Sequence, residues 1–249
     1  MPQIDRLSSL VSHFEIHTTV IEDDTPANLS IFGNDGVPEW LVLHTNKTKQ
    51  SPPKNTPIVA LNVDFGGQAN PVLNALPDAI EIELAHSTEL TAIAHLIVSE
   101  SKPRRCGGQF ALDRLCEFLL VNLLRDQIER NSAESGILAG LAHPNLSQPI
   151  VAMHDNPGKK WRLDDLVLLS GMSRSQFMHD FQEVVGKSPM AYLKQWRLTL
   201  ARNALVNGQR VKEIARLYGY GSGDAFTRAF TKAYGFAPTR FIQSDTQPL

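Results

Sequence analysis

Two groups of side chains in this 249-residue chain have types and spacings that could do bond-level chemistry. His13, Glu15 and His17 alternate, so on a strand they would share one face, a spacing compatible with a metal ion. Surface strand residues explain the same alternation, and no metal is assigned. Cys106 follows Lys102, Arg104 and Arg105, cations that would lower a thiol pKa and favour oxidation. A redox switch at Cys106 is weighed against a plain reduced thiol, and the plain thiol is preferred. Cys106 and Cys116 are the only cysteines, too few for a disulfide framework or a four-cysteine zinc site. No Ser-His-Asp set, phosphate loop or HExxH pattern is found. We therefore expect no catalysis and no cofactor.

A third pattern points to recognition instead. "SGMSRSQFMHDFQEVVGKSPMAY", from Ser170 to Tyr192, returns about 48 residues later as "YGYGSGDAFTRAFTKAYGFAPTRF", from Tyr218 to Phe241. Gly171 matches Gly219; after one added residue, Phe177, Phe181, Gly186, Pro189 and Tyr192 match Phe226, Phe230, Gly235, Pro238 and Phe241. The copies agree at turn glycines and at an aromatic pair four residues apart, which would pin a helix to its core. They differ on the opposite, polar face. Two units holding one shape while reading different partners would diverge in this way.

The elements that must position this pattern are helices. From Gln148 onward seven are expected: Gln148–His154, Leu163–Ser170, Arg174–Val185, Pro189–Val206, Val211–Tyr218, Gly223–Tyr234 and Pro238–Ile242. Ser173 and Gln176 have capping-box spacing, Pro189 and Pro238 suit first-turn positions, and Gly186, Gly208 and Gly235 fall where helices should stop. Each repeat is then a short helix, a glycine turn and a second helix, the helix-turn-helix form whose second helix lies in the major groove of DNA. "SPMAYLKQWRLTLARNALVNG" gives one helix of about 18 residues, roughly 27 Å long. Such a strut could hold two reading helices about one DNA turn apart, near 34 Å.

Charge divides the chain in the same place. Residues 150–249 hold 14 Lys and Arg against 8 Asp and Glu, a net of +6, which leaves 10 against 18, or −8, for residues 1–149. A basic half behind an acidic half suggests that the second alone meets a polyanion. No apolar run reaches the roughly 18 residues of a membrane span, and "MPQIDRLSSL" lacks a signal-peptide pattern. A cytoplasmic protein is expected, without membrane contact.

The front half reads as strands in "HFEIHTTVIE", "GVPEWLVLHT", "TPIVALNVDFGG" and the end of "NPVLNALPDAIEIEL", then helices in "HSTELTAIAHLIVSE" and "QFALDRLCEFLLVNLLRDQIER". On the longer helix Leu112, Leu115, Leu119, Leu123 and Ile128 share a face that Cys116, Leu120 and Leu124 widen. The stripe could cover the strand domain or form a dimer seam, and we assign Leu112, Leu115, Leu119 and Leu123 to dimerisation. "NSAESGILAGLAHPNLS" is read as a connector. The expected organisation is α+β: residues 1–147 as a regulatory and dimerisation domain, residues 148–249 as an all-α DNA-binding domain.

Residues from about Gln148 to Ile242 resemble the DNA-binding domain of the AraC/XylS transcription regulators. "VKEIARLYGYGSGDAFTRAFTKAYGFAPTRF" follows the family signature and departs only at its end, where Phe241 and Ile242 follow Arg240. The resemblance implies a bacterial regulator that sets two helices in successive major grooves of double-stranded DNA, with activation the expected sign and RNA polymerase a partner. Carried over by position, the first reading helix presents Arg174, Ser175, Met178 and His179, and the second Gly223, Asp224, Thr227 and Arg228. Arg228 is suited to guanine O6 and N7, Thr227 to a thymine methyl and Asp224 to cytosine N4. His179 could donate to guanine or sit against a phosphate. Ser173 and Ser222, with Lys187 and Arg240, are expected at phosphates.

The front half resembles the cupin-type domain of one subgroup, a small β-barrel with trailing helices that implies a homodimer. It departs from that pattern by being short before Pro57, with the usual strand pairs and an early hairpin eroded. Ala60 stands where a cysteine is frequent, and Asn70 where a histidine is. These departures count against a metal, a redox centre or an enclosed pocket for a small-molecule effector. Some relatives in the family carry a repair domain built on a cysteine-rich metal site, which two cysteines cannot make. The rival to a DNA-binding regulator is a partner protein that antagonises other regulators through its amphipathic helix.

Overall fold

The alternating apolar residues of the first half form an antiparallel sheet. The computed structural model describes residues 5–14, 16–21, 25–45, 56–65, 73, 76–102, 106–129 and 135–240. By contacts the chain divides into two units, one spanning Phe14–Ala133 and the other joining the residues up to His13 to those from Glu134 on.

The first unit is a five-stranded sheet in the order β1-β4-β2-β3-β5, every pair antiparallel. The strands are β1 His17–Val20, β2 Leu29–Asn34, β3 Val37–His44, β4 Val59–Asp64 and β5 Ala79–Glu83. Leu29 and Ile31, Leu41 and Leu43, and Leu61 and Val63 alternate inward and are buried. Sequence patterning passes over β2, because "LSIFGN" is short and its alternation ends in a glycine. Its signal was the following turn: Asp35 and Gly36 both take positive φ, 50° and 76°, as a two-residue hairpin requires. A Cβ on Gly33 would stand 1.9 Å from Val37 O, so the register shift beside Phe32 needs glycine. The described front half therefore holds one two-residue hairpin, β2–β3.

Two helices, α2 Thr88–Glu100 and α3 Gly108–Glu129, pack on one another, α2 against β3 and α3 against β1. Asp113 ties α3 to the sheet by accepting from Thr18 N at 2.7 Å. The leucine stripe of α3 is taken up in this packing. Leu112, Leu119 and Leu123 are 3, 3 and 2% exposed, buried within this unit, and Leu115 is half-buried. What α3 leaves outside is a second face carrying Phe110, 72% exposed, and Phe118, 49% exposed. Cys116 is buried, which pushes its thiol up to about 11, while Cys106 is exposed in the turn before α3. Arg104 and Arg105 lie outside the described residues, as do Asn70, Glu15, Phe241 and Ile242. Of the alternating set, His13 sits in the turn after the helix at residues 8–11 and His17 is on β1.

The second unit is helical. Its helices are α5 Ser147–Asp155, α6 Leu163–Ser170, α7 Arg174–Val185, α8 Pro189–Val206, α9 Val211–Leu217 and α10 Gly223–Tyr234, with a further turn starting at Pro238. They begin and end within one residue of the bounds expected from the sequence. Two segments assigned elsewhere by sequence join them. α1, Ser8–Val11, packs on α5, and Asn203 Nδ2 donates to His13 O at 3.4 Å. α4, Ile137–Ala142, lies inside the expected connector and packs on α5 and α7. The approach is tight: a Cβ on Gly140 would stand 2.6 Å from Ile150 Cδ1 and 2.9 Å from Val185 Cγ2. The boundary expected between residues 147 and 148 thus falls at the start of α5, inside this unit.

Candidate nucleic-acid interface

Both repeats fold as helix, turn and helix, α6–α7 and α9–α10. Gly171 and Gly219 take left-handed φ of 67° and 74° in the turns, a conformation that costs other residues about 1 kcal/mol or more. Phe177 and Phe181 on α7 are fully buried with ring centroids 5.6 Å apart; Phe226 and Phe230 on α10 are buried at 5.5 Å. These pairs fix which face of each second helix turns outward. Tyr192 adds its ring to Phe181, and Tyr220 adds its ring to Phe226.

On the outward faces Arg174, Ser175, His179, Asp224 and Arg228 are exposed, while Met178, Gly223 and Thr227 are half-buried. The two serines expected at phosphates are N-caps: Ser173 Oγ accepts from Gln176 N at 3.3 Å, and Ser222 Oγ accepts from Ala225 N at 3.1 Å. The reciprocal half of the expected capping box is not made, because Gln176 Nε2 turns to Asp180 Oδ1 at 2.5 Å. Lys187 Nζ likewise donates to Gln195 Oε1 at 2.5 Å.

The two reading faces differ in charge. From Arg162 to Lys187 the first repeat carries three Lys and Arg against four Asp and Glu; from Arg210 to Lys232 the second carries five against two. The contrast is sharpened by pairing. Arg174 Nη1 is 3.0 Å from Asp164 Oδ1, and His179 Nε2 is 3.4 Å from Glu183 Oε2. Sequence spacing could not give the first pair, since Asp164 lies ten residues back on α6. His179, Asp180 and Glu183 also bring three metal-type side chains within 4.8 Å. A side-chain contact one helical turn apart, His179 to Glu183, accounts for that cluster, and its exposure gives a metal no enclosure.

Below this surface lies a polar core that the sequence did not announce. His154 is fully buried, its Nε2 at hydrogen-bond distance from Tyr192 Oη and its ring 4.4 Å from that of Trp196. Its Nδ1 has no partner among the described residues. Burial, reinforced by His13, lowers its pKa to about 3, and burial raises that of Tyr192. None of the described helices is long and apolar enough to cross a membrane.

The pattern of the helix-turn-helix domain family matches residues 168–244, and that of the cupin family matches residues 6–129. The HTH-type transcriptional regulator AlkR of Acinetobacter baylyi is 34% identical over 179 residues, covering 70% of this chain and 58% of its own length. An AraC-like transcription regulator of Streptomyces lividans is 31% identical over 189 residues, 74% of this chain and 62% of its own. A solved AraC-type transcriptional regulator from Chromobacterium violaceum shares 25% identity, with a TM-score of 0.40, over 43% of this chain and 96% of its own. The chain spans about three-fifths of the length of these two curated relatives.

Proposed function

The chain belongs to the AraC-type family of transcription regulators, and from that premise we propose that it binds double-stranded DNA sequence-specifically through α7 and α10. One observation supports this most: two helices of one repeat bury the same aromatic pair and expose different polar faces. Arg228 stands exposed on the more basic face, where its planar fork can pair with guanine O6 and N7. Asp224 and Thr227 flank it as an acceptor and a methyl contact. The first helix reads through Arg174, Ser175, Met178 and His179, after Arg174 leaves Asp164.

On this proposal the protein acts as an activator that recruits or repositions RNA polymerase, and works as a homodimer. With Leu112, Leu119 and Leu123 committed to the core, the seam passes to the outer face of α3. Phe110 and Phe118 lie on that face, with the Arg114 guanidinium between them 5.8 Å from the Phe110 ring.

The test is genome-wide occupancy of the tagged protein in its own host. Sharp peaks sharing an asymmetric site across two successive major grooves are the expected result, and loss of those peaks in Arg228→Ala supports the residue assignment. Peaks unchanged in that variant overturn the assignment. An absence of peaks under every growth condition overturns the DNA-binding proposal.

A further inference from the structure

The segment between α5 and α6 is more than a connection. It leaves α5 at Asn156 and reaches the first helix-turn-helix unit at Leu163. Lys159 N donates to Asn156 O at 3.2 Å, and the buried Trp161 donates from Nε1 to the same oxygen at 2.9 Å. Lys159 Nζ stands 3.8 Å above the Trp161 ring. These bonds close the loop on itself, giving it a defined shape against which other elements can register.

Two elements do so at one point. From α8, Arg197 Nε donates to Pro157 O at 2.6 Å and Nη2 donates to Lys159 O at 2.7 Å. From the second helix-turn-helix unit, the α9–α10 turn lies against the same backbone. A Cβ on Gly158 would stand 2.2 Å from Leu217 O, and one on Gly219 would stand 2.6 Å from Gly158 O and 3.2 Å from Arg197 Nη2. Only glycine fits on either side, and Gly219 also holds a φ of 74°. The approach to the first unit, the turn of the second and the strut between them therefore meet at Arg197.

We propose that Arg197, acting through the Gly158–Gly219 contact, is a positioning residue that fixes the rotation of the second reading helix relative to the first, and so sets the spacing of the two DNA half-sites. This rests on the DNA-binding proposal above. α8 sets how far apart the units stand, but a helix contacted along one side still lets a small unit roll about it. A planar guanidinium bonded to two carbonyls of a self-closed loop removes that freedom. Its Nε and Nη2 are both bonded to the loop, which sets Arg197 apart from Arg228 as a direct reader. Holding both helices in register before binding turns the second half-site into an intramolecular contact.

The test is in vitro selection from a randomised duplex library with the full chain, Arg197→Lys and Arg197→Ala, each checked by urea unfolding. Wild type is expected to return a two-part site with one spacing near a helical turn. Arg197→Lys keeps the charge but replaces the planar two-point fork with a single flexible ammonium, so it should return the same half-sites spread over neighbouring spacings. Its affinity for the wild-type site should fall about tenfold with half-site affinity unchanged. If Arg197→Ala does not fold, Arg197→Lys decides. A single unchanged spacing in the folded Lys variant overturns the clamp, as does a loss confined to the salt dependence, which marks a phosphate contact. Failure of the wild type to select any two-part site overturns the DNA-binding proposal and the clamp with it.

Discussion

Mild acid should weaken the helical unit through one residue, His154. The ring is fully buried on α5, facing Tyr192 and Trp196 from α8 and His13 from the turn after α1. The neighbouring Asp155 carboxylate is bonded to Ser9 Oγ. Protonation would put a charge beside an unpartnered Nδ1, so the folded pKa falls to about 3 from 6.5. The unfolded chain then binds a proton that the native chain refuses, and stability rises with pH. The contribution is complete above pH 6.5 and is lost progressively as pH falls from there toward 3. At about 1.4 kcal/mol per pH unit, the loss between pH 8 and pH 5 is about 2 kcal/mol. Urea unfolding at both pH values, followed by tryptophan fluorescence, should show it, because Trp161 and Trp196 both lie in this unit. His154→Gln carries no titrating group there and should lose about 2 kcal/mol less over the same interval. Equal losses in wild type and variant would refute the assignment of this pH dependence to His154.

Arg228→Ala should weaken binding to the selected site by about 1–3 kcal/mol and relax preference at one base pair, measured by anisotropy on sites varied singly. Asp164→Asn frees Arg174 from its 3.0 Å pair and removes a negative charge beside a reading helix, so affinity should rise about two- to fivefold at low salt; unchanged affinity would place Arg174 away from DNA. On the proposed dimer, Phe110→Asp with Phe118→Asp should leave a monomer in sedimentation and change the protomer's own unfolding free energy by no more than about 0.5 kcal/mol, because both side chains are on the surface.

What the sequence determined by itself was whatever is written within a few residues. Ser173, Ser222, Pro189 and the left-handed Gly171, Gly186 and Gly235 mark helix ends through local caps and φ. Phe177/Phe181 and Phe226/Phe230 mark the inner face through spacing by one helical turn. The outward faces carrying Arg174, His179, Asp224 and Arg228 followed from those two signals. Tertiary structure alone decided everything that depends on which surface meets which. A leucine stripe has the same period whether it covers a sheet or a partner, so Leu112, Leu119 and Leu123 were settled only by the packing of α3 on α2 and β1. α1 and α4 are too short to announce themselves, and long-range packing assigned them to the helical unit. The Arg174–Asp164 pair and the Arg197 bonds to Pro157 and Lys159 join residues ten to forty positions apart. No local periodicity encodes such a meeting, because it exists only once the chain has closed around its core.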